Sequence, residues 1–204
     1  YELYDEAHTP WEWHAAIFER ARGHGMIPFS TPFDNTAVDF LEELNVPAYK
    51  IASFENVDLP LIGRVARTGK PMIISTGMAD EAQIEEAVAT ARAQGCRDLV
   101  LLHCVSNYPA DPANVNLQAM LTMAKAFDAI VGYSDHTPGI EVALAAVALG
   151  VLFLAASQLN TLALVLAPVA AAYLIAYPLT KRFTWMASLA LGGALALAPS
   201  GAWI

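Results

Sequence analysis

Short apolar segments of strand length recur along the first 150 residues, and each stops abruptly in a cluster of polar side chains. Stretches with the apolar spacing of a helix lie between these segments, so strands and helices alternate along the chain. Such alternation indicates a parallel sheet covered by helices. The predicted strands are 26–29, 48–51, 71–74, 99–102 and 130–133, and the predicted helices are 11–22, 36–44, 59–68, 81–94 and 116–126.

The polar clusters favour a barrel over an open, Rossmann-type sheet, although both folds share the alternation. Polar side chains follow every predicted strand rather than a single switch point, and no Gly-x-Gly-x-x-Gly motif follows any of them. The richest cluster is Ser134-Asp135-His136-Thr137, as expected where a strand brings reactive groups to the mouth of a barrel. We therefore predict an α/β fold for residues 1–150, a partial TIM-type (β/α) barrel with about strands 3–7 of the eight that close one.

The charge is divided unevenly along the chain. The net charge is −9, but only Lys181 and Arg182 are charged after Gly150, so residues 1–150 carry −11. This acidic part argues against nucleic acid as a partner. The two cysteines, Cys96 and Cys104, have no disulfide or metal spacing, which fits a reducing compartment. Together with a charged, aromatic N-terminus unlike a signal peptide, these features predict a cytoplasmic protein.

The chain becomes almost wholly apolar from Val142 onward. The segments 159–179 and 185–204 carry no charge, and a basic turn at Lys181-Arg182 joins them. Spans of this length predict a membrane-type helical hairpin in a second region, 151–204, which could associate with the membrane. The alternative is a pair of buried core helices.

Hydroxyl side chains and one lysine collect at the predicted strand ends. Together they form a candidate anion pocket for a phosphate or carboxylate, although a strand-end Ser or Thr can also simply cap the next helix. Glu55 and Asp135 are candidate acid/base groups, and His103 and His136 are candidate metal ligands or proton carriers. The pocket residues are Ser30, Thr31, Lys50, Ser53, Ser75, Thr76 and Ser134.

These same segments resemble the sialic acid synthase family. Five ordered motifs carry the resemblance, and 9–13 and 53–56 have forms closer to the pseudaminic acid synthases of that family. The motifs are Phe29-Ser30-Thr31-Pro32-Phe33-Asp34, Tyr49-Lys50-Ile51-Ala52-Ser53-Phe54-Glu55-Asn56, Ile74-Ser75-Thr76-Gly77-Met78, His103-Cys104-Val105-Ser106-Asn107-Tyr108-Pro109 and Ser134-Asp135-His136-Thr137.

The resemblance implies condensation of phosphoenolpyruvate with an open-chain N-acetylated amino sugar, with release of phosphate and formation of a nonulosonic acid. It also implies a divalent metal, Mn²⁺ or Mg²⁺, and a homodimer. By this resemblance Glu55 assists acid/base chemistry, Tyr108 contacts the sugar and His136 binds the metal. The residues implied to hold phosphoenolpyruvate are Thr31, Lys50, Ser53, Ser75 and Ser134.

The chain departs from the family pattern in three ways. Two barrel strands, with a glutamate and a lysine of the site, would precede Tyr1, and a C-terminal antifreeze-like domain would follow the barrel. A second metal-binding histidine is expected near Ser157, where the sequence reads Ala155-Ala156-Ser157-Gln158. We therefore expect little or no activity from this chain.

Residues 151–204 resemble an internal fragment of the intramembrane 4-hydroxybenzoate polyprenyltransferases, through segments 158–160, 177–185 and 197–203. The aspartate-rich motifs that bind Mg²⁺ and prenyl diphosphate are missing from the sequence, so that activity does not carry over. A fused or mis-joined reading frame within 142–154 would explain the change. A membrane protein related to the prenyltransferases and a phosphate-binding protein without turnover are the competing functions.

Overall fold

A computed structural model of the chain describes residues 2–159, together with 165 and 169. Two helices, α1 and α2, precede a series in which helices and strands alternate. Short 3-10 turns follow the first and third strands, at Phe54–Val57 and Pro112–Asn114. The elements are α1 Glu2–Ala7, α2 Trp11–Gly23, α3 Asn35–Glu43, β1 Tyr49–Ile51, α4 Leu59–Ala66, β2 Met72–Ser75, α5 Glu81–Ala93, β3 Leu99–Cys104, α6 Gln118–Ala126, β4 Ile130–Ser134 and α7 Glu141–Leu159.

The four strands form one parallel sheet in the order β1-β2-β3-β4. Parallel neighbours need a crossover between them, and helices α4, α5 and α6 provide these connections. The predicted parallel α/β sheet is thereby confirmed, and its form is consistent with a partial TIM-type barrel.

The predicted strand 26–29 is wrong. The chain there makes only an isolated parallel bridge, Ser30 with Tyr49, and the amide of Lys50 donates to the Ser30 carbonyl over 3.3 Å. Pro28 lacks the N–H that a strand needs to extend the ladder, which explains why pairing begins only after it.

The sheet has two chemically different faces. Tyr49, Ile51 and Met72 and their neighbours on the first face are fully or almost fully buried against α3, α4 and α5, and they form the hydrophobic core. Because side chains alternate along a strand and paired residues in a parallel sheet share a face, the register assigns the intervening residues to the opposite side. We call this side the Lys50 face; it consists of Lys50, Ile73, Ser75, Val100, Leu102, Cys104, Ile130, Gly132 and Ser134.

Aspartates, not the strand-end hydroxyls, cap helices α3, α4 and α5. Asp34 accepts from the amide of Ala37, and Asp58 accepts from that of Leu61. Asp80 forms a full capping box with Gln83 at the start of α5. Ser53 precedes a 3-10 turn without making a side-chain cap. Helix capping therefore does not explain the serine at position 53.

A polar network joins α3, β1 and the loop before β2. The Tyr49 hydroxyl donates to Glu42 Oε1 over 2.7 Å, and Lys70 Nζ donates to the same oxygen over 2.6 Å. Burial alone would raise the pKa of the Glu42 carboxyl, but these two hydrogen bonds and the positive charges of Lys70 and Arg64 together hold the pKa below its ordinary value. The network ties the helix layer to the first strand of the sheet.

The chain divides into two compact units, the first ending at His136 and the second beginning at Thr137. The predicted boundary near residue 150 falls within the second unit, inside α7, and Ser157 also lies in that helix. Among the described residues, no helix is both long and apolar enough to cross a bilayer. The predicted hairpin spans, 159–179 and 185–204, lie outside the described residues except for 159, 165 and 169.

Candidate functional site

Lys50 is the cationic centre of the Lys50 face. It is half-buried in the middle of β1. Burial lowers the pKa of its ammonium group, and the nearby Cys104 thiol and Glu55 carboxyl oppose that change. The ion pairs seen within residues 2–159, Arg64–Asp39 and Lys70–Glu42, do not include Lys50. A desolvated ammonium outside these ion pairs is favourable for binding an anion.

Three polar side chains converge on Gly77, just past the end of β2. A Cβ atom at Gly77 would lie 2.9 Å from Ser53 Oγ, 2.8 Å from Cys104 Sγ and closer still to Ser106 Oγ. Ser53 Oγ and Cys104 Sγ are themselves 3.2 Å apart. The ends of β1 and β3 therefore bring two hydroxyls and a thiol to one point, which only a glycine at position 77 leaves open.

Several buried polar atoms in the loops and strand ends near Gly77 and Lys50 have no hydrogen-bond partner among the described residues. They include Ser75 Oγ, Ser106 Oγ and Glu55 Oε2. Ser75 is only 2 % exposed, and its register with Leu102 puts it on the Lys50 face. Burying a hydroxyl without a partner costs about 1–3 kcal/mol, so unsatisfied groups gathered in one place indicate a site for a polar ligand.

Thr31 and Thr76 differ in what holds them. Thr31 directly follows the bridge between Ser30 and Tyr49, which places it at the edge of the sheet beside the strand that carries Lys50. Thr76 donates to the Leu102 carbonyl over 3.1 Å and is almost fully buried. The hydroxyl of Thr76 is therefore satisfied by the sheet itself.

His136 is fixed in a defined orientation next to Ser134. Its Nδ1 lies 2.6 Å from the Val105 carbonyl, and its Nε2 lies 3.4 Å from Ser134 Oγ. A carbonyl only accepts, so Nδ1 carries the proton in the neutral ring and Nε2 keeps a free electron pair. The Tyr108 ring lies over the imidazole with 4.2 Å between ring centres, and Tyr108 is 74 % exposed. An exposed aromatic ring thus covers the histidine.

The described residues do not complete a metal site. No group of three or more His, Cys, Asp or Glu side chains that could hold an ion occurs in the described part of the chain. The His136 ring has the arrangement typical of a metal ligand, because Nδ1 is bound to a carbonyl and Nε2 keeps its electron pair. A single nitrogen donor is nevertheless fewer than the three or four ligands that metal sites in proteins use. Metal binding by His136 stays a prediction.

His103 and Asp135 lie apart from the Lys50 face. His103 Nε2 is 2.7 Å from the Val115 carbonyl, and the His103 ring is 6.0 Å from that of Tyr133. Burial raises the pKa of the Tyr133 phenol, and the negative charge of Asp135 raises it further. Strand alternation puts His103 and Tyr133 on the side of the sheet that faces the helices. The structure therefore does not bring these two candidates together with Lys50.

Sequence reasoning missed Gly77, Cys104 and Ser106. Each lies inside one of the five motifs, but none has a strongly acidic, basic or cationic side chain. Alternation along β3 from Val100 would have placed Cys104 on the same side as Lys50. The convergence on Gly77 depends on contacts between separate strand ends, which no single segment reveals.

Comparison with known proteins finds matches over most of the chain. A sequence model of the NeuB family matches residues 1–155. A pseudaminic acid synthase from Helicobacter pylori is 46% identical over 150 residues, which are 74% of this chain and 44% of that protein. An N,N'-diacetyllegionaminic acid synthase from Campylobacter jejuni is 44% identical over 139 residues, 67% of this chain and 42% of its own length.

A solved structure has the same fold over most of the chain. It is the N-acetylneuraminic acid (sialic acid) synthetase from Leptospira borgpetersenii in complex with citrate, with a TM-score of 0.67 and 35% identity, covering 70% of this chain and 50% of that one. The chain thus spans less than half the length of the curated relatives it matches. The NeuB match ends at residue 155, so it gives the prenyltransferase resemblance of 151–204 no support.

Proposed function

The chain belongs to the NeuB family, and from this membership we propose that it takes part in condensing phosphoenolpyruvate with an N-acetylated amino sugar to a nonulosonic acid. In that reaction the methylene carbon of phosphoenolpyruvate bonds to the sugar aldehyde carbon, water is consumed and phosphate is released. The observation that carries the proposal is the half-buried Lys50 on the same face of the sheet as the buried Ser75 hydroxyl, which has no hydrogen-bond partner among the described residues.

Phosphoenolpyruvate is a compact trianion, and the Lys50 face offers what such a ligand needs. The ammonium of Lys50 would supply the charge-assisted hydrogen bond, and the hydroxyls of Ser53 and Ser75 would donate to the carboxylate or phosphate oxygens. Thr31, next to β1, and Ser134, at the end of β4, would border the same ligand from the two edges of the sheet. The donors are fixed by the strands, so little reorganisation accompanies binding.

Glu55 and Tyr108 would serve the second substrate. Glu55 acts electrostatically on Lys50, and one of its carboxylate oxygens is buried with no hydrogen-bond partner among the described residues, so it could exchange a proton with a group held beside that lysine. Tyr108 presents an exposed ring above His136, a suitable surface for the apolar face of a sugar. Motif forms at 9–13 and 53–56 favour a sugar of the pseudaminic type.

The first prediction concerns Lys50→Ala. Removing the ammonium leaves an anion with neutral donors only, and a hydrogen bond to a charged group is worth about 1.5–3 kcal/mol, so phosphoenolpyruvate should bind about 10- to 150-fold more weakly. Isothermal titration of the full 204-residue chain with phosphoenolpyruvate measures this. Lys125→Ala is the matched control, since Lys125 is exposed in the last turn of α6.

Turnover separates a synthase from a phosphate-binding protein. Phosphate release is followed with phosphoenolpyruvate, Mn²⁺ and, in turn, the hexose precursors of pseudaminic acid and of N-acetylneuraminic acid. Release with the first sugar supports the pseudaminic assignment. Binding of phosphoenolpyruvate without release from either sugar would support the binding protein instead, and unchanged affinity in Lys50→Ala would remove the basis of the proposed site.

A further inference from the structure

We propose that Cys104 is a positioning residue of the anion site: its thiol donates to Ser53 Oγ and so directs the Ser53 hydroxyl proton toward the bound anion. This inference rests on the proposed function, because it assigns a role within the same phosphoenolpyruvate site. The geometric basis is the 3.2 Å separation of Ser53 Oγ and Cys104 Sγ beside Gly77.

The position of Cys104 in the sheet places it inside the site. Cys104 is the last residue of β3 and pairs in register with Ser134 of β4. It shares the Lys50 face with Lys50 and Ser75, and its side chain is 5 % exposed. Cys104 therefore lies on the same face of the sheet as the Lys50 ammonium and contacts one of the strand-end hydroxyls, that of Ser53.

The number of available protons decides how Ser53 and Cys104 must pair. A serine hydroxyl has one proton and can accept two further hydrogen bonds, whereas a thiol is a weak donor and a weak acceptor. If Ser53 donates its proton to Cys104, none remains for an anionic ligand. When an anion accepts the Ser53 proton, the thiol can keep its own contact only by donating to Ser53 Oγ. In the bound state the Cys104 thiol therefore donates to the Ser53 hydroxyl, and the Ser53 hydroxyl donates to the anion.

Unsatisfied buried groups around this pair indicate that the thiol faces a ligand site and not merely packed protein. Ser106 Oγ, which also lies beside Gly77, has no hydrogen-bond partner in the part of the chain that the structure describes, and Ser75 Oγ on the Lys50 face has none there either. A cysteine that served only as a small apolar filler would sit among apolar contacts. Here the thiol has the Ser53 hydroxyl at hydrogen-bond distance.

Substitutions at Cys104 distinguish positioning from packing. Cys104→Ser keeps a donor and should bind phosphoenolpyruvate within about twofold of the unchanged chain, whereas Cys104→Ala removes it and should weaken binding about five- to tenfold. If the thiol only fills space, Ala is tolerated as well as or better than Ser at so buried a position, and the order reverses. Cys96→Ala is the control, because Cys96 is the other free cysteine, equally buried, and contacts the Asp98 carbonyl outside the site.

A double-mutant cycle with Ser53→Ala supplies the second readout. Because Cys104 acts through Ser53, Cys104→Ala should cost less than twofold once Ser53 is already Ala. Where turnover is measurable, the loss should appear in KM for phosphoenolpyruvate and leave kcat within about twofold. All affinities are measured by titration of the full chain with phosphoenolpyruvate.

The outcomes separate the two proposals. Suppose the unchanged chain binds phosphoenolpyruvate. The role of Cys104 is then overturned if Cys104→Ala binds as well as or better than Cys104→Ser, or if the losses in the cycle are additive, and the proposed function stays intact. No binding of phosphoenolpyruvate by the unchanged chain overturns the proposed site and the role of Cys104 together.

Discussion

Gly77 occupies the point at which side chains from separate strand ends meet. Any side chain at this position would overlap Ser53, Cys104 and Ser106. The absence of a Cβ atom therefore allows these polar groups to approach one another and the backbone at once. At the scale of single residues, the site depends as much on this missing atom as on the charged lysine.

Gly77→Ala gives a further prediction at the scale of single residues. The added methyl group must push the three polar groups apart, so phosphoenolpyruvate affinity should fall at least tenfold and the free energy of unfolding should fall by about 1–3 kcal/mol. Titration and urea unfolding measure these two effects. Gly23→Ala is the control, because no atom of the described residues lies within 4 Å of a Cβ atom at that position. Combining Gly77→Ala with Ser106→Ala removes the tightest overlap and should recover part of both losses; no recovery would contradict the steric explanation.

Single residues were predictable where chemistry and strand position coincide. Lys50, Ser53 and Ser75 could be placed at one end of a sheet from the sequence, since each lies in or just after an apolar strand. The capping alternative for Ser53 could be dismissed only with the structure, which shows aspartates in that role. Contacts such as that of His136 with Val105 depend on how two loops fold against each other, which strand periodicity does not specify.

At the scale of elements, α5 illustrates how a local sequence signal sets a boundary. Asp80 and Gln83 form reciprocal bonds at its first turn, and its buried residues are Ile84, Ala87 and Ala91. The helix starts where the sequence predicted. Its last residue, Ala93, comes one position before the predicted end, because the amide of Gln94 closes the final turn instead of continuing it.

Asp80→Ala tests the contribution of this cap. Loss of the side-chain acceptor leaves an amide of the first turn without its partner, so the chain should lose about 1 kcal/mol of stability, within the range of 0.5–2 kcal/mol typical of such caps. The urea midpoint, followed by circular dichroism, gives the value. Glu85→Ala, an exposed position in the same helix, should change stability by less than half as much. Equal effects at the two positions would show that helix propensity, not capping, dominates.

Strand 26–29 shows where element prediction failed. Its apolar composition resembles the other strands, but Pro28 interrupts the donors that pairing needs. A prediction from apolar composition alone does not take into account that Pro28 has no N–H to donate. The four remaining strands lack an internal proline and form as predicted to within a few residues.

At the scale of the whole molecule, acid stability should depend on the network around Glu42. The folded state holds the pKa of this carboxyl below its ordinary value. A depressed folded pKa means that the stabilisation is complete above the ordinary glutamate pKa of about 4.3 and is lost as the pH falls through the folded value.

Glu42→Gln should therefore flatten the acid side of the stability profile. The amide cannot titrate, so the difference in unfolding free energy between the two chains should shrink as the pH drops below about 4.3. Urea unfolding across that pH range provides the comparison. Glu43→Gln is the control, because Glu43 is exposed next to it. If Glu42→Gln and Glu43→Gln have the same dependence of stability on pH, the hydrogen bonds from Tyr49 and Lys70 to Glu42 do not couple stability to pH.

The order of the strands in the sheet, β1 to β4, is also the order in which a ribosome synthesises them. Every new strand meets a hydrogen-bonding edge that is already in place, so the sheet can assemble during translation without waiting for a distant segment. Of these four strands the lysine strand is made first, and the thiol and the last serine arrive on the third and fourth. The anion site is therefore built gradually, and a nascent chain would acquire affinity for its ligand only when synthesis has passed β3.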